Sequence, residues 1–181
     1  MVDTQKSLST LQSDLADNTS GDITPQDVRD FLVSVYAEYG EVSVKDNATA
    51  TSLTTQSTWY QFVSFDTNGA SEGVTPDHTN DHLTIATAGT YEISANVSFL
   101  GSSNSDFELA VYKNNGASLV GNAIGKRAIG TGGDIGQFAL SGLGALSATD
   151  TLELWVRCTD GASKEITGVH VTMYCKQVSG P

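Results

Sequence analysis

No run of the sequence stays apolar for the length of a membrane span, and the opening MVDTQKSLSTLQSDL has no uninterrupted apolar core of the kind a secretory leader needs. The expectation is a chain made and folded in a cytoplasm. Positive charge is scarce: 9 Lys and Arg against 21 Asp and Glu leave a formal charge of -12. Such a surface repels phosphate backbones and gives nucleic-acid binding no electrostatic support. Charged residues in total reach only 17%, which sits poorly with a helical bundle. Cysteine is reduced to Cys158 and Cys175, each in phase with apolar neighbours (Leu154 and Val156; Val171 and Met173). Both read as buried reduced thiols. If their strands form a hairpin around 159–165, Cys175 lies at its far end and a disulfide fails on distance.

What the sequence has in quantity is glycine, 18 residues of 181, together with Ser, Thr and Asn. That composition suits a turn-rich β protein, one domain with an N-terminal appendage. The clearest stretch is GTYEISANVSFL, residues 89–100. Tyr91, Ile93, Ala95, Val97 and Phe99 alternate with Glu92, Ser94, Asn96 and Ser98, so an extended strand has one apolar face that a second sheet must cover. Further strands are predicted at 42–44, 58–65, 82–87, 107–113, 117–124, 134–142, 151–158 and 167–176, with Asn114-Asn115-Gly116 as a hairpin turn. Eight or nine short strands without intervening helices predict an all-β antiparallel sandwich.

The boundary falls near residue 40. Residues 1–40 are expected to form a short helical arm and 41–181 the β domain. Leu8, Leu11 and Leu15 make only a thin stripe, but Thr24-Pro25 reads as an N-cap with proline at the first helical position. Val28, Phe31, Leu32, Val35 and Tyr36 then follow helical spacing, and Gly40 is the expected terminator. A single apolar stripe must lie against something. It packs on its own β domain, bundles with other copies, or docks on a larger particle.

In the later strands the inward phase is predicted to be Phe107, Leu109, Val111; Leu152, Leu154, Val156; and Val169, Val171, Met173. The outward phase carries Tyr112, Trp155 and Tyr174, large aromatics where solvent is expected. They predict a protein–protein surface, unless a loop or the N-terminal helix covers them.

Candidate chemistry is thin. Asp77, His78, Asp81 and His82 form the densest group of metal-ligand types, but no cysteine or second cluster completes a site, so a polar loop is expected and no metal. Asp66-Thr67-Asn68-Gly69 opens like a calcium loop but has His78 where the bidentate glutamate belongs, and an Asx turn suffices. Residues 121–127, GNAIGKR, have Arg127 where a phosphate loop needs Ser or Thr, and Lys126-Arg127 is expected in a solvated loop. GTGGDIG at 130–136 reads as a flexible loop. His170 has no Gly-x-Ser-x-Gly elbow beside it. No catalytic constellation and no cofactor is expected.

The succession GTYEISANVSF, ELAVYKNNG and FALSGLGALSATDTLELWVRC resembles the C1q/TNF-like jelly roll: a glycine-aromatic entry, a strand ending in Lys-Asn-x-Gly, then Ser-x-Leu-x-x-Leu-x-x-x-Asp before an alternating strand. The resemblance spans roughly residues 42–178. It implies a tight homotrimer formed through an outward sheet rich in aromatics, with Tyr112, Trp155 and Tyr174 in the trimer interface. Without a collagen-like repeat, complement and cytokine roles do not carry over. LADNTSGDITPQDVRDFLVSVY resembles the opening of many small bacteriophage virion proteins, where Gly-x-Ile-[ST]-Pro-Gln-Asp-[VL]-Arg-Asp precedes a β domain. Together the resemblances imply a trimeric head decoration (cement) protein, assembled in the host cytoplasm into the virion. Its arm, through Val28, Phe31, Leu32, Val35 and Tyr36, would anchor on the major capsid protein or another virion component. The alternative is a tail fibre or tail-tip adhesin reading a host surface receptor.

Overall fold

A computed structural model describes residues 23–34, 37–45, 49–131 and 133–180, with Lys6, Thr10 and Ser13 before them. Helix α1 (Pro25–Ser34) precedes β1 (Tyr39–Val44), β2 (Ala50–Leu53), β3 (Tyr60–Gln61), β4 (Thr67–Glu72), β5 (Val74–Asp77) and β6 (His82–Ile85). After these come β7 (Gly89–Gly101), β8 (Ser105–Lys113), β9 (Ser118–Ile129), β10 (Ile135–Leu146), β11 (Thr151–Cys158) and β12 (Lys164–Ser179). All pairing is antiparallel. The first sheet runs β10-β7-β12-β1-β4 with β2 on β12, and the second runs β5-β6-β11-β8-β9 with β3 on β11.

The alternation that starts at Gly89 is what makes two layers. Tyr91, Ile93, Ala95, Val97 and Phe99 are all buried, as are Phe107, Leu109 and Val111 of β8 and Leu152, Leu154 and Val156 of β11. Each large apolar side chain so covered contributes about 1.5–3 kcal/mol. Phe99 joins the layers, edge-on to Phe107 and stacked on Phe138 at centroid distances of 5.7 and 5.2 Å. Among the described residues no buried side-chain polar atom lacks a hydrogen bond.

Several expectations shift. Val169 is only half-buried, because a bulge between Gly168 and His170 advances the register of β12 against β7 by one residue. The strand expected over 58–65 is a strand only at Tyr60–Gln61, while β2, β4 and β5 form where none was predicted. Lys126 and Arg127 lie within β9 rather than in a loop. In place of the expected Asx turn, the Asp66 carboxylate accepts from the distant Lys45 amide at 3.0 Å and from the Thr67 hydroxyl at 2.7 Å, and β4 begins at the next residue. Gly40 does not end the helix: it lies in β1 against Val74, and a Cβ there would come within 2.6 Å of Val74 Cγ1. The two cysteines are free and buried, but their strands are in different sheets rather than one hairpin. Burial pushes the Cys175 thiol up to about 12 and also raises that of Cys158.

Candidate functional site

The three outward aromatics do not share one face. Tyr112 on β8 and Trp155 on β11 stand on the outside of the second sheet, and Tyr174 on β12 stands on the outside of the first. All three are half-buried.

On the second sheet the aromatics form a row. The rings of Trp59 and Tyr112 are 5.3 Å apart and those of Tyr112 and Trp155 6.2 Å, inclined by 58° and 60°. The Arg157 guanidinium lies 4.7 Å from the Trp59 ring centre and is held by Glu108 at 2.7 Å. Ala110, opposite Trp155 and of the same outward phase, is nevertheless fully buried, so the larger rings cover it. Trp59 is the member that sequence reasoning missed, because it sits in a stretch read as one long strand.

A buried carboxylate orients this row. Glu153 is 1% exposed and accepts from the Trp155 indole N–H at 3.0 Å, the Asn115 amide at 3.0 Å, the Gly116 amide at 3.2 Å and the Thr151 hydroxyl. The predicted hairpin turn supplies two of those donors. Asn114, Asn115 and Gly116 all have positive φ (55°, 57° and 75°), which Asn and Gly accept most readily. A Cβ at Gly116 would approach the Trp155 ring to 3.0 Å. The same turn is tied to Asp150, which accepts from Lys113 Nζ at 2.7 Å and Asn114 Nδ2 at 2.8 Å. Burial tends to raise that carboxyl, but the hydrogen bonds from Asn114 and Lys113 outweigh it and hold it below the usual range. The Lys-Asn-x-Gly and distant Asp of the resemblance are thus one physical unit.

The outside of the first sheet has a different chemistry. Four successive rows across β10, β7 and β12 read Ile135–Leu100–Thr167, Gln137–Ser98–His170, Ala139–Asn96–Thr172 and Ser141–Ser94–Tyr174. None contains Asp, Glu, Lys or Arg. The nearest charge is Glu41 of β1, in register with Tyr174, and in the next row Glu92 faces Lys176 beside Leu143. Ile135, Leu100 and Leu143 are 56%, 41% and 61% exposed. A trough of about 450 Å³ runs along this face past Asn96, Ser98, Gln137, Ala139, His170 and Thr172. A smaller hollow of about 240 Å³ lies beside Tyr174, Tyr39 and Ala70, with Glu41 and Lys176 in its lining.

Helix α1 begins as expected. The Thr24 hydroxyl accepts from the Asp27 amide at 3.2 Å, and Asp27 accepts in return from the Thr24 amide at 2.8 Å, a reciprocal capping box. These bonds to Thr24 hold the Asp27 carboxyl below its ordinary range. Lys6 reaches Asp30 at 3.0 Å, so the acidic side of the helix is covered while Val28, Phe31 and Leu32 stay 47%, 40% and 56% exposed. Val35 and Tyr36 lie outside the described residues.

The Asp77-to-His82 group is the turn between β5 and β6. Asp77 Oδ1 accepts from the Thr79 and Asn80 amides at 3.0 and 3.1 Å, and the His78 amide donates to Asn68 at 2.8 Å. Asp81 is buried and accepts from the Phe65 amide at 2.9 Å, and burial pushes its carboxyl up to about 6. Among the described residues no three His, Cys, Asp or Glu stand close enough together to hold a metal.

These layers, register and sheet order define an antiparallel β-sandwich of the C1q/TNF-like jelly-roll class. Solved structures that share it include three from animal proteins. The globular domain of zebrafish complement 1qA matches with a TM-score of 0.55 and 10% identity, covering 81% of this chain and 100% of that one. Murine APRIL matches at 0.53 and 11%, covering 79% and 100%. Eiger TNF from S. frugiperda matches at 0.52 and 12%, covering 80% and 94%. At such identities the likeness defines the fold alone. No family model and no curated protein matches the sequence.

Proposed function

We propose that the chain is a non-enzymatic virion protein of a bacteriophage, a homotrimeric head decoration (cement) protein that fastens to the capsid exterior by its N-terminal segment. The observation that carries this reading is the helix stripe. A helix of 10 residues is marginal in water by itself, yet Val28, Phe31 and Leu32 face solvent with Ile23 also 38% exposed. A partner surface on a larger assembly, the major capsid protein in this reading, covers them. The resemblance of residues 21–30 to the opening of small phage virion proteins points the same way.

The trimer is placed on the outside of the first sheet. Copies of a chain carrying -12 repel one another unless they meet through a surface poor in charge, and interface centres are depleted of charged residues. The four neutral rows of β10, β7 and β12 supply that surface, with Tyr174 at its lower margin. C1q/TNF-like folds assemble as trimers, which supports the stoichiometry. Of the aromatics expected in the interface, Tyr174 keeps that role, and Tyr112 and Trp155 are placed on the opposite side.

The test mixes purified chain with heads of a mutant phage that lacks it and sediments the particles. The chain is expected in the pellet, and Phe31→Ser with Leu32→Ser is expected to leave an intact trimer in the supernatant. Wild-type protein that ignores heads but binds host cells would replace this reading with the tail-fibre adhesin. The exposed aromatic row on the second sheet is the observation that favours that alternative.

A further inference from the structure

We propose that the aromatic row on the outside of the second sheet is a binding platform for a neutral saccharide, whose pyranose rings stack on Trp59, Tyr112 and Trp155. The inference holds for a trimer on a head or on a tail, because the row is on the side of the sandwich away from the neutral sheet.

The rings are preorganised. Trp155 is fixed by its N–H to Glu153, and Glu153 is itself saturated by the amides of Asn115 and Gly116 and the Thr151 hydroxyl. Trp59 is fixed under Arg157, which Glu108 clamps at 2.7 Å. Burying a carboxylate is costly unless it is fully hydrogen-bonded, and here that cost goes into the orientation of one half-exposed indole. With its N–H satisfied internally, Trp155 offers a partner its π face rather than a donor. That face carries the negative side of the ring quadrupole, which suits the weakly positive C–H face of a sugar ring. The centroid spacings of 5.3 and 6.2 Å and the tilts near 60° make a stepped surface, one ring per sugar unit, rather than a flat one.

Charge selects the ligand class. Three cations beside the row are engaged: Arg157 with Glu108 at 2.7 Å, Lys126 with Asp106 at 3.0 Å and Lys113 with Asp150 at 2.7 Å. Of these three cations none is left uncompensated to draw a sialylated or sulfated glycan. Single-stranded nucleic acid also stacks on aromatics, but it needs a cationic groove along its backbone. A protein partner fits poorly for the opposite reason, since charged pairs lie among the rings where an interface centre would exclude them. For sugar hydroxyls those same groups are useful: Glu108 and Lys126, directly opposite in register at the edge of the row, offer an acceptor and a donor.

Both tryptophans of the chain are in the row, so intrinsic fluorescence reads the site without a label. The intact chain is screened on a glycan array and titrated with maltotriose, cellotriose and chitotriose, with saturation-transfer NMR on the sugar ring protons. The expected result is binding to neutral glycans, a saturable change in tryptophan emission with at least one trisaccharide, and roughly tenfold weaker binding in Tyr112→Leu and in Trp59→Leu, the order of one lost ring stack. Each variant is checked for an unchanged melting transition and unchanged mass. Absence of any neutral-glycan binding, binding confined to anionic glycans, or equal affinity in both folded variants overturns the proposal. A fall in assembly mass on Tyr112→Leu also overturns it, and assigns the row to a subunit contact instead.

Discussion

The outer faces of the two sheets arise from the same period-two alternation and end with opposite chemistries. On the first, four rows across β10, β7 and β12 hold Ser, Thr, Asn, Gln, Ala, aliphatic residues, His170 and Tyr174 without an Asp, Glu, Lys or Arg, and Glu41 of β1 stands at their margin opposite Tyr174. On the second, Trp59, Tyr112 and Trp155 stand among Glu108, Arg157 and Lys126, paired in charge and ordered by a buried Glu153. The difference teaches what each face is suited to do. A neutral face loses little when buried against its own copy, whereas a face of charged pairs and fixed rings costs desolvation if sealed, and suits a small ligand that leaves its rim in water.

Four substitutions can break or sharpen that contrast. Ser94→Arg would place three like charges inside the contact of the proposed trimer, and the expected outcome is a shift to single chains by light scattering with β content unchanged by circular dichroism. Trp155→Ser, on the other face, is expected to leave the proposed trimer intact but to lower unfolding free energy by about 2–3 kcal/mol, because the ring is lost and Glu153 forfeits a donor. Denaturant unfolding measures it, and dissociation in place of destabilisation would move the interface to the second sheet.

Asp81→Asn tests the buried acid in the β5–β6 turn. Its carboxyl is raised to about 6, so the folded state holds the proton more tightly than the unfolded one. That contribution is complete below about pH 4 and is lost as pH rises through 6. Asparagine tolerates the φ of 56° there and can still accept from the Phe65 amide. The variant is expected to be about 1 kcal/mol more stable than wild type at pH 7 and to lose that advantage near pH 4, read by melting temperature across the range. The smallest effect is Phe31→Ser, under about 0.5 kcal/mol on the isolated protein, since its ring is already 40% exposed. A large loss would show that α1 packs on the sandwich.

Much of this architecture was legible in the residues. Alternation from Gly89, the Asn114-Asn115-Gly116 turn and the Thr24-Pro25 cap each have a local cause, so each could be read locally. β4 (TNGASE) and β5 (VTPD) were not legible, because neither has a β pattern of its own and each is extended by pairing with β1 or β6. Val169 escaped for a related reason: a bulge changes the phase without changing the composition. Parity states whether Tyr174 points in or out, but a sandwich has two outsides. Which outside follows from sheet order, and sheet order depends on pairings between β12, β7 and β1 that are distant in sequence. The saccharide platform was hidden for the same reason, since Trp59 and Tyr112 meet only once β3 and β8 flank β11.

Sedimentation equilibrium of the unmodified protein tests whether copies of the chain join, as proposed, through the uncharged rows of the first sheet. The expected mass is that of three chains, 19.0 kDa each, held across moderate salt because the contact carries few charges. A single-chain mass, or an assembly that dissolves as salt is raised, would contradict it.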